Sequence, residues 1–144
     1  MQPLTPSHIL LKQPSESKSA VIARIGQCLI DNGHVESAYV EGMQAREASL
    51  STYMGNGVAI PHGMPDYTKY ILKSGMVIAQ YPGGIDFGNG NTARLIIGIA
   101  GIGDDHMDVL SNVALICQYE ENVERLIRAE SADEILAILA AEAS

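Results

Sequence analysis

The sequence predicts an α+β fold in which a central β-sheet is covered by helices on both faces. Three observations predict it. Apolar residues recur at helical spacing near the start of the chain and again after Gly103. Short β-type runs bounded by Gly, Pro and Asn lie between those stretches. The resulting order is strand, two helices, three strands, three helices, and a sheet with helices on both sides buries every apolar stripe. At 144 residues the chain suits a single domain over residues 1–144, and a domain of that size buries about 68–70% of its unfolded-chain surface. Hydrophobic residues make up 47%, yet there are only six Tyr, one Phe and no Trp, so Val, Ile, Leu, Ala and Met must build the core.

The elements follow in chain order. His8-Ile9-Leu10-Leu11, after two prolines, predicts a first strand. From Ser17 to Asn32, Val21, Ile22, Ile25, Cys28 and Leu29 share a helical face; Ser17 or Ser19 offers an N-cap and Gly33 a stop. A second helix starts after Ser37, ends near Ser49, and carries Val40, Met43 and Arg46 on one side. Val58-Ala59-Ile60, Gly75 to Tyr81 and Leu95 to Ala100 predict three strands, with turns at Tyr81-Pro82-Gly83-Gly84 and Gly88-Asn89-Gly90-Asn91. Asp104 can cap a helix with Met107, Leu110, Val113, Ala114 and Cys117 inward. Glu120 to Ala129 repeats the pattern with Val123, Leu126 and Ile127. Ser131-Ala132-Asp133-Glu134 reads as a capping box opening a last helix with Ile135, Ile138 and Leu139 inward.

Nine Lys and Arg stand against 17 Asp and Glu, a net charge of −8. Residues 1–100 balance at seven of each sign, so the excess lies in the last 44 positions, which hold ten acidic residues and only Arg125 and Arg128. Without a cationic footprint, nucleic acid and anionic membranes are excluded as main partners. Met1-Gln2-Pro3-Leu4-Thr5-Pro6 lacks the positive start and apolar stretch of a secretory leader. The longest clean apolar run, Leu95 to Gly101, falls far short of the ~20 residues of a membrane span. The expectation is a cytoplasmic protein with no direct membrane insertion. Cys28 and Cys117 sit on apolar faces far apart in sequence, which reads as buried thiols in a reducing compartment.

Three residues are candidates for chemistry. In Gly55-Asn56-Gly57-Val58-Ala59-Ile60-Pro61-His62-Gly63, His62 follows a short strand. Pro61 fixes the backbone before it and Gly63 removes bulk beside its ring. His106 would lie in the first turn of a helix, where free N–H groups and the macrodipole favour an anion. Arg46 shares the inward stripe with Met43, where a lone guanidinium is either paired or kept for an anionic ligand. Each has a plain structural alternative: a turn histidine, a solvated helix-start histidine, an arginine paired with Glu47 or a helix neighbour. His8 and His34 read as surface residues. No Cys-x-x-Cys or His-x-x-x-His supports a metal site. There is no Gly-x-Ser-x-Gly elbow, and neither Walker A nor a Rossmann glycine fingerprint is present. Two histidines and an arginine, without a nucleotide site, suit a phosphoryl group carried on a histidine. Neutral imidazole is a competent nucleophile near neutral pH, and a guanidinium with helix N–H groups can hold the dianion.

Arg46-Glu47, Ser51 through Gly63, Gly75 to Tyr81, and Gly98-Ile99-Ala100 through His106 match a family in order. From about His8 to Leu139 the chain resembles the enzyme IIA component of the bacterial phosphoenolpyruvate-dependent sugar phosphotransferase system, mannitol/fructose class. The Ser51-Thr52-Tyr53-Met54-Gly55-Asn56 stretch looks most like the mannitol-specific branch. The resemblance implies a three-layer α/β/α sandwich around a mixed sheet. It implies phosphorylation of His62 at the tele nitrogen, with Arg46 and His106 stabilising the phosphoryl group and Asn56, Gly63 and Met64 as backbone or supporting contacts. It further implies phospho-HPr as donor, a cysteine of the IIB domain of a sugar permease as acceptor, and no cofactor or metal. Met64 departs from the small polar residue common after His-Gly in the family, though its backbone N–H could still donate. Two other readings stay open: a nitrogen-related regulatory IIA, which shares the Gly-Asn-Gly-Val-Ala-Ile-Pro-His-Gly core, and a metal-dependent hydrolase using His62 and His106. Asp104, Asp105 and Asp108 predict a negative rim able to steer a positively faced carrier, the alternative being solvated helix faces.

Overall fold

A computed structural model describes residues 4–142, so Met1-Gln2-Pro3, part of the segment read as lacking leader character, lies outside the described residues. The chain runs β1 (Ile9–Leu10), α1 (Lys18–Asp31), α2 (Ala38–Ser49), β2 (Tyr53–Gly55), β3 (Val58–Ala59), β4 (Gly75–Gly88), β5 (Asn91–Ala100), α3 (Asp104–Cys117), α4 (Glu120–Arg128) and α5 (Ala132–Glu142). The sheet order is β1-β4-β5-β3-β2. β1 runs parallel to β4 and β3 parallel to β5, while β4/β5 and β2/β3 are antiparallel, so the sheet is mixed.

Alternation along the central strands divides the core in two. Val77, Ala79, Tyr81 and Ile96 pack with Val21, Ile22, Ile25 and Leu29 of α1 and Met43 of α2. Ile78, Leu95, Ile97 and Ile99 face Val109 and Val113 of α3, Leu126 and Ile127 of α4, and Ile135 and Ile138 of α5. This is the α/β/α sandwich expected. Ser17 caps α1 by accepting from Ala20 N–H, and Ser131 accepts from Glu134 N–H at the start of α5. Cys28 and Cys117 are free, buried thiols in opposite core layers. Burial raises both thiol pKa values, that of Cys117 to about 11.

Five details differ from expectation. The middle of the chain holds four strands, because β2 pairs with β3 across Asn56-Gly57, whose φ values of 54° and 78° suit a tight hairpin. Three residues without an apolar run carry no strand pattern of their own. Tyr81-Pro82-Gly83-Gly84 is not a turn: β4 runs through it with an irregular register between Gln80 and Ile85, which accommodates the donor that proline lacks. The chain reverses instead at Asn89-Gly90. On α3, Met107 is 62% exposed and the inward stripe is Val109, Val113, Ile116 and Cys117. Gly103, not Asp104, is the N-cap. On α2 the buried residues are Tyr39, Gly42, Met43 and Glu47, one position out of phase with Val40 and Arg46.

His8 and His34 are buried rather than at the surface, with their Nε2 atoms 2.9 Å apart. Their bonds fix the protons. His34 Nδ1 stands 3.1 Å from the Lys73 carbonyl, which can only accept, so His34 Nδ1 carries hydrogen and its Nε2 accepts. His8 Nε2 therefore donates, and His8 Nδ1 accepts from the Thr5 N–H and hydroxyl. An added proton would set N–H against N–H. Burial lowers both pKa values below the ordinary 6.5; Lys73 lowers both further, His8 adds to the lowering at His34, and hydrogen bonds to Thr5 and Lys73 oppose it. A folded pKa below the unfolded one means stability is full above the unfolded value and is lost as pH falls through the folded one. The melting temperature is expected to fall as pH drops below about 6.5, more steeply in this protein than in its His8→Gln/His34→Gln variant. Equal slopes in calorimetry would remove the pair as the cause.

Candidate functional site

After β3 the chain continues as Ile60-Pro61-His62 along the end of β5. Ile99 N–H donates to the Pro61 carbonyl at 2.9 Å, pairing His62 with Ile99 in the parallel sense. The His62 ring folds back so that Nδ1 lies 2.8 Å from the Ile60 carbonyl. A carbonyl only accepts, so Nδ1 holds the proton and Nε2 keeps a free lone pair. His62 is half-buried. Burial lowers its pKa first; the Ile60 carbonyl opposes this, the Arg46 and His106 charges lower it further, and Glu47 raises it. The net shift is downward, so the ring is neutral at neutral pH.

His106 lies in the first turn of α3, edge-on to His62, with ring centroids 5.2 Å apart at 61°. Its pKa is also lowered by burial. Gly101 permits this approach, because a Cβ there would stand 2.4 Å from the His106 Cα. The helix start is not the open anion cradle that the sequence suggested. Asp105 and His106 N–H already donate to the Ile102 and Gly103 carbonyls.

Arg46 is half-buried near the end of α2, with Nη1 donating to the Leu50 carbonyl. Glu47, its expected salt-bridge alternative, turns inward and is 5% exposed. Glu47 Oε1 accepts from Thr52 N–H at 3.0 Å and its hydroxyl at 2.5 Å, and Oε2 faces Lys18 Nζ at 3.4 Å. Burial pushes the carboxyl pKa up, but the Ser51 and Thr52 hydrogen bonds and the Lys18 charge bring it below its usual value. Among the described residues no carboxylate pairs with Arg46, so its positive charge stays available to the site.

The three supporting residues named from the resemblance are placed differently. Asn56 donates to the Cys117 and Gln118 carbonyls at 3.1 and 3.2 Å. That is the far end of α3, about 16 Å along the axis from His106, so the structure does not bring Asn56 to His62. Gly63 does adjoin the site, with its N–H donating to the Tyr39 hydroxyl at 2.8 Å. A Cβ at position 63 would stand 2.6 Å from the Tyr39 ring. The Met64 N–H, expected to be free, donates to the Gly42 carbonyl of α2 at 3.2 Å. Met64 instead lines, with Tyr39, Gly63, Thr68, Gly101 and His106, a cavity of about 280 Å³.

Sequence reasoning missed Tyr39 and read Glu47 only as a partner for Arg46. The signal was present, since Tyr39, Met43 and Glu47 recur at i, i+4, i+8 and lie on one helix face. Together the site offers a neutral imidazole with an open Nε2, a second imidazole edge-on to it, and an unpaired cation. Among the described residues no three His, Cys, Asp or Glu side chains are grouped to hold a metal ion. Among the same residues no helix is long and apolar enough to cross a membrane.

Comparison with known proteins adds to this geometry. The family described as "Phosphoenolpyruvate-dependent sugar phosphotransferase system, EIIA 2" matches residues 2–142. The chain is 48% identical over 138 residues to the mannitol-specific phosphotransferase enzyme IIA component of Bacillus subtilis (strain 168), covering 96% of each. The crystal structure of IIA mannitol from Escherichia coli superposes with a TM-score of 0.89 at 36% identity, covering 96% of this chain and 99% of that one. The complex of enzyme IIAMTL and phosphorylated enzyme IIBMTL from Escherichia coli gives 0.91 at 36% identity, covering 96% and 97%.

Proposed function

The chain belongs to the EIIA 2 family of the phosphoenolpyruvate-dependent sugar phosphotransferase system, and from that premise we propose that it takes a phosphoryl group from phospho-HPr onto Nε2 of His62. It then passes the group to a cysteine of a IIB component, driving phosphorylation-coupled uptake of a sugar alcohol, mannitol. Members of this family are phosphotransferases that work through a phosphohistidine. The observation that carries the assignment to His62 is the 2.8 Å bond from Nδ1–H to the Ile60 carbonyl. That bond presents the unprotonated Nε2 and stabilises the positive charge that builds on the ring as Nε2 attacks.

In the first step the bond from phosphorus to the donor breaks as the Nε2–P bond forms. In the second, the Nε2–P bond breaks as a cysteine thiolate forms S–P, and His62 returns to its neutral state with Nδ1 still protonated. The phosphoryl group adds roughly −1.5 to −2 charge at neutral pH. Arg46 supplies the facing cation and His106 a ring N–H, while positioning supplies the rest. With the Met64 N–H held by Gly42, this load falls on Arg46 and His106. No step needs a cofactor. Asp104 and Asp108 are exposed beside His106 and Asp105 is half-buried, a negative rim suited to steering a positively faced carrier.

The mannitol reading is supported by the similarity to the Bacillus subtilis component, and the IIB acceptor by the Escherichia coli complex with phosphorylated IIB. A location in the cytoplasm is part of the same proposal. Incubation with phosphoenolpyruvate, enzyme I and HPr, followed by candidate IIB domains, tests the reading. HPr-dependent labelling with fastest onward transfer to a mannitol IIB is expected. Labelling without transfer to any sugar IIB would favour the regulatory reading instead.

A further inference from the structure

Resting on the reading that His62 carries the phosphoryl group, a further role emerges from how His62 is tied to the sheet. Along a parallel pair, the rung from Ile99 N–H to the Pro61 carbonyl would be followed by one from Gly63 N–H to the Ile99 carbonyl. A side chain occupies that second rung. Gly63 N–H donates to the Tyr39 hydroxyl at 2.8 Å, and the hydroxyl donates to the Ile99 carbonyl at 3.1 Å. The phenol thus stands between the backbone just after His62 and β5, while the backbone just before it stays paired.

Two observations make this a wedge rather than incidental packing. Tyr39 is 2% exposed, and its ring fills the place of a Cβ on Gly63. Burial raises the phenol pKa, against the opposing hydrogen bond from Gly63, so the hydroxyl remains a donor. The next tie also comes from α2, where the Gly42 carbonyl takes the Met64 N–H. Tyr39, Gly42 and Arg46 therefore lie on successive turns of one helix, which holds both the His62 turn and the cation whose charge reaches its ring. We propose that Tyr39 is a positioning residue for phosphoryl transfer, its hydroxyl spacing the His62 turn off β5 so that Nε2 stands between Arg46 and His106.

Tyr39→Phe keeps the ring and removes the spacer. The rung then either closes directly, moving Gly63 toward Ile99, or leaves two backbone groups unpaired. Single-turnover transfer from phospho-HPr at saturating donor is expected to fall on the order of 10- to 100-fold, as small misplacements do. The donor KM should stay within about twofold, since the acidic rim at Asp104, Asp105 and Asp108 is untouched. Replacing Tyr39 by 3-fluorotyrosine, which keeps the hydroxyl, is expected to retain most of the rate. A Tyr39→Phe rate equal to the parent's, or equal losses in both proteins, overturns the proposal. If Tyr39→Phe does not fold, 3,5-difluorotyrosine at position 39 carries the test, because it keeps the hydroxyl as a poorer acceptor. It should shift the Gly63 amide proton resonance and slow transfer, and a shifted resonance with an unchanged rate would also overturn the proposal. Parent protein labelled on a residue other than His62 is a failure of the functional reading. Parent labelled on His62 with Tyr39→Phe unimpaired is a failure of this inference alone.

Discussion

Replacing His62 with alanine is expected to abolish phosphoryl acceptance while leaving the fold in place. The side chain is half-buried, and among the described residues its one hydrogen bond is to the Ile60 carbonyl of its own turn, so its loss costs about 1 kcal/mol. The backbone of the turn stays tied through Pro61, Gly63 and Met64. No other histidine offers the same nucleophile. His8 and His34 are buried, and each uses both ring nitrogens in the chain from Thr5 to Lys73. His106 has no carbonyl fixing its tautomer among the described residues and stands edge-on to His62. Labelled phosphoenolpyruvate with enzyme I and HPr reads the result directly, and label on His62→Ala protein would sink the assignment.

Arg46→Ala is expected to slow transfer by about 10²–10³-fold, the range for removing one charge-stabilising donor from a reaction centre. Stability should change little, because Arg46 is half-buried and among the described residues its side chain bonds only the Leu50 carbonyl at the end of α2. A cation near a helix C-terminus is worth typically 0.3–1 kcal/mol, roughly the expected loss. A second readout separates electrostatics from packing. The Arg46 charge is one of the causes that lower the His62 pKa. Its removal lets that pKa rise, so acceptance should begin to fail at a higher pH on acidification. A pH–rate profile with an unmoved acidic limb would show that Arg46 does not face His62.

The parts of this site that were legible in the sequence are those whose chemistry is local. Pro61-His62-Gly63 announces a stiff backbone with an accessible ring, because proline and glycine act on their immediate neighbours. His106 followed from a helix start, although the N–H groups there bond back to Ile102 and Gly103. What was missed depends on contacts between distant segments. Tyr39 acts on Gly63 and Ile99, 24 and 60 residues away, and the His8–His34 pair spans 26 residues. The α2 stripe runs through Glu47, not through Arg46. An arginine and a glutamate side by side leave the phase undecided until Thr52 and Lys18 claim the carboxylate. The α3 phase slipped likewise, since Met107 is apolar but the sheet meets Val109 and Val113. Tyr81-Pro82-Gly83-Gly84 carries turn chemistry, but pairing with β5 on either side holds it within the strand.

The position of the phosphoryl group is the most direct test. Protein labelled with ¹⁵N and phosphorylated through enzyme I and HPr is expected to show, in imidazole NMR spectra, a single phosphoryl group on Nε2 of His62. Nδ1 should remain protonated against the Ile60 carbonyl. A phosphoryl group on Nδ1 of His62, on His106, or on no histidine would contradict it.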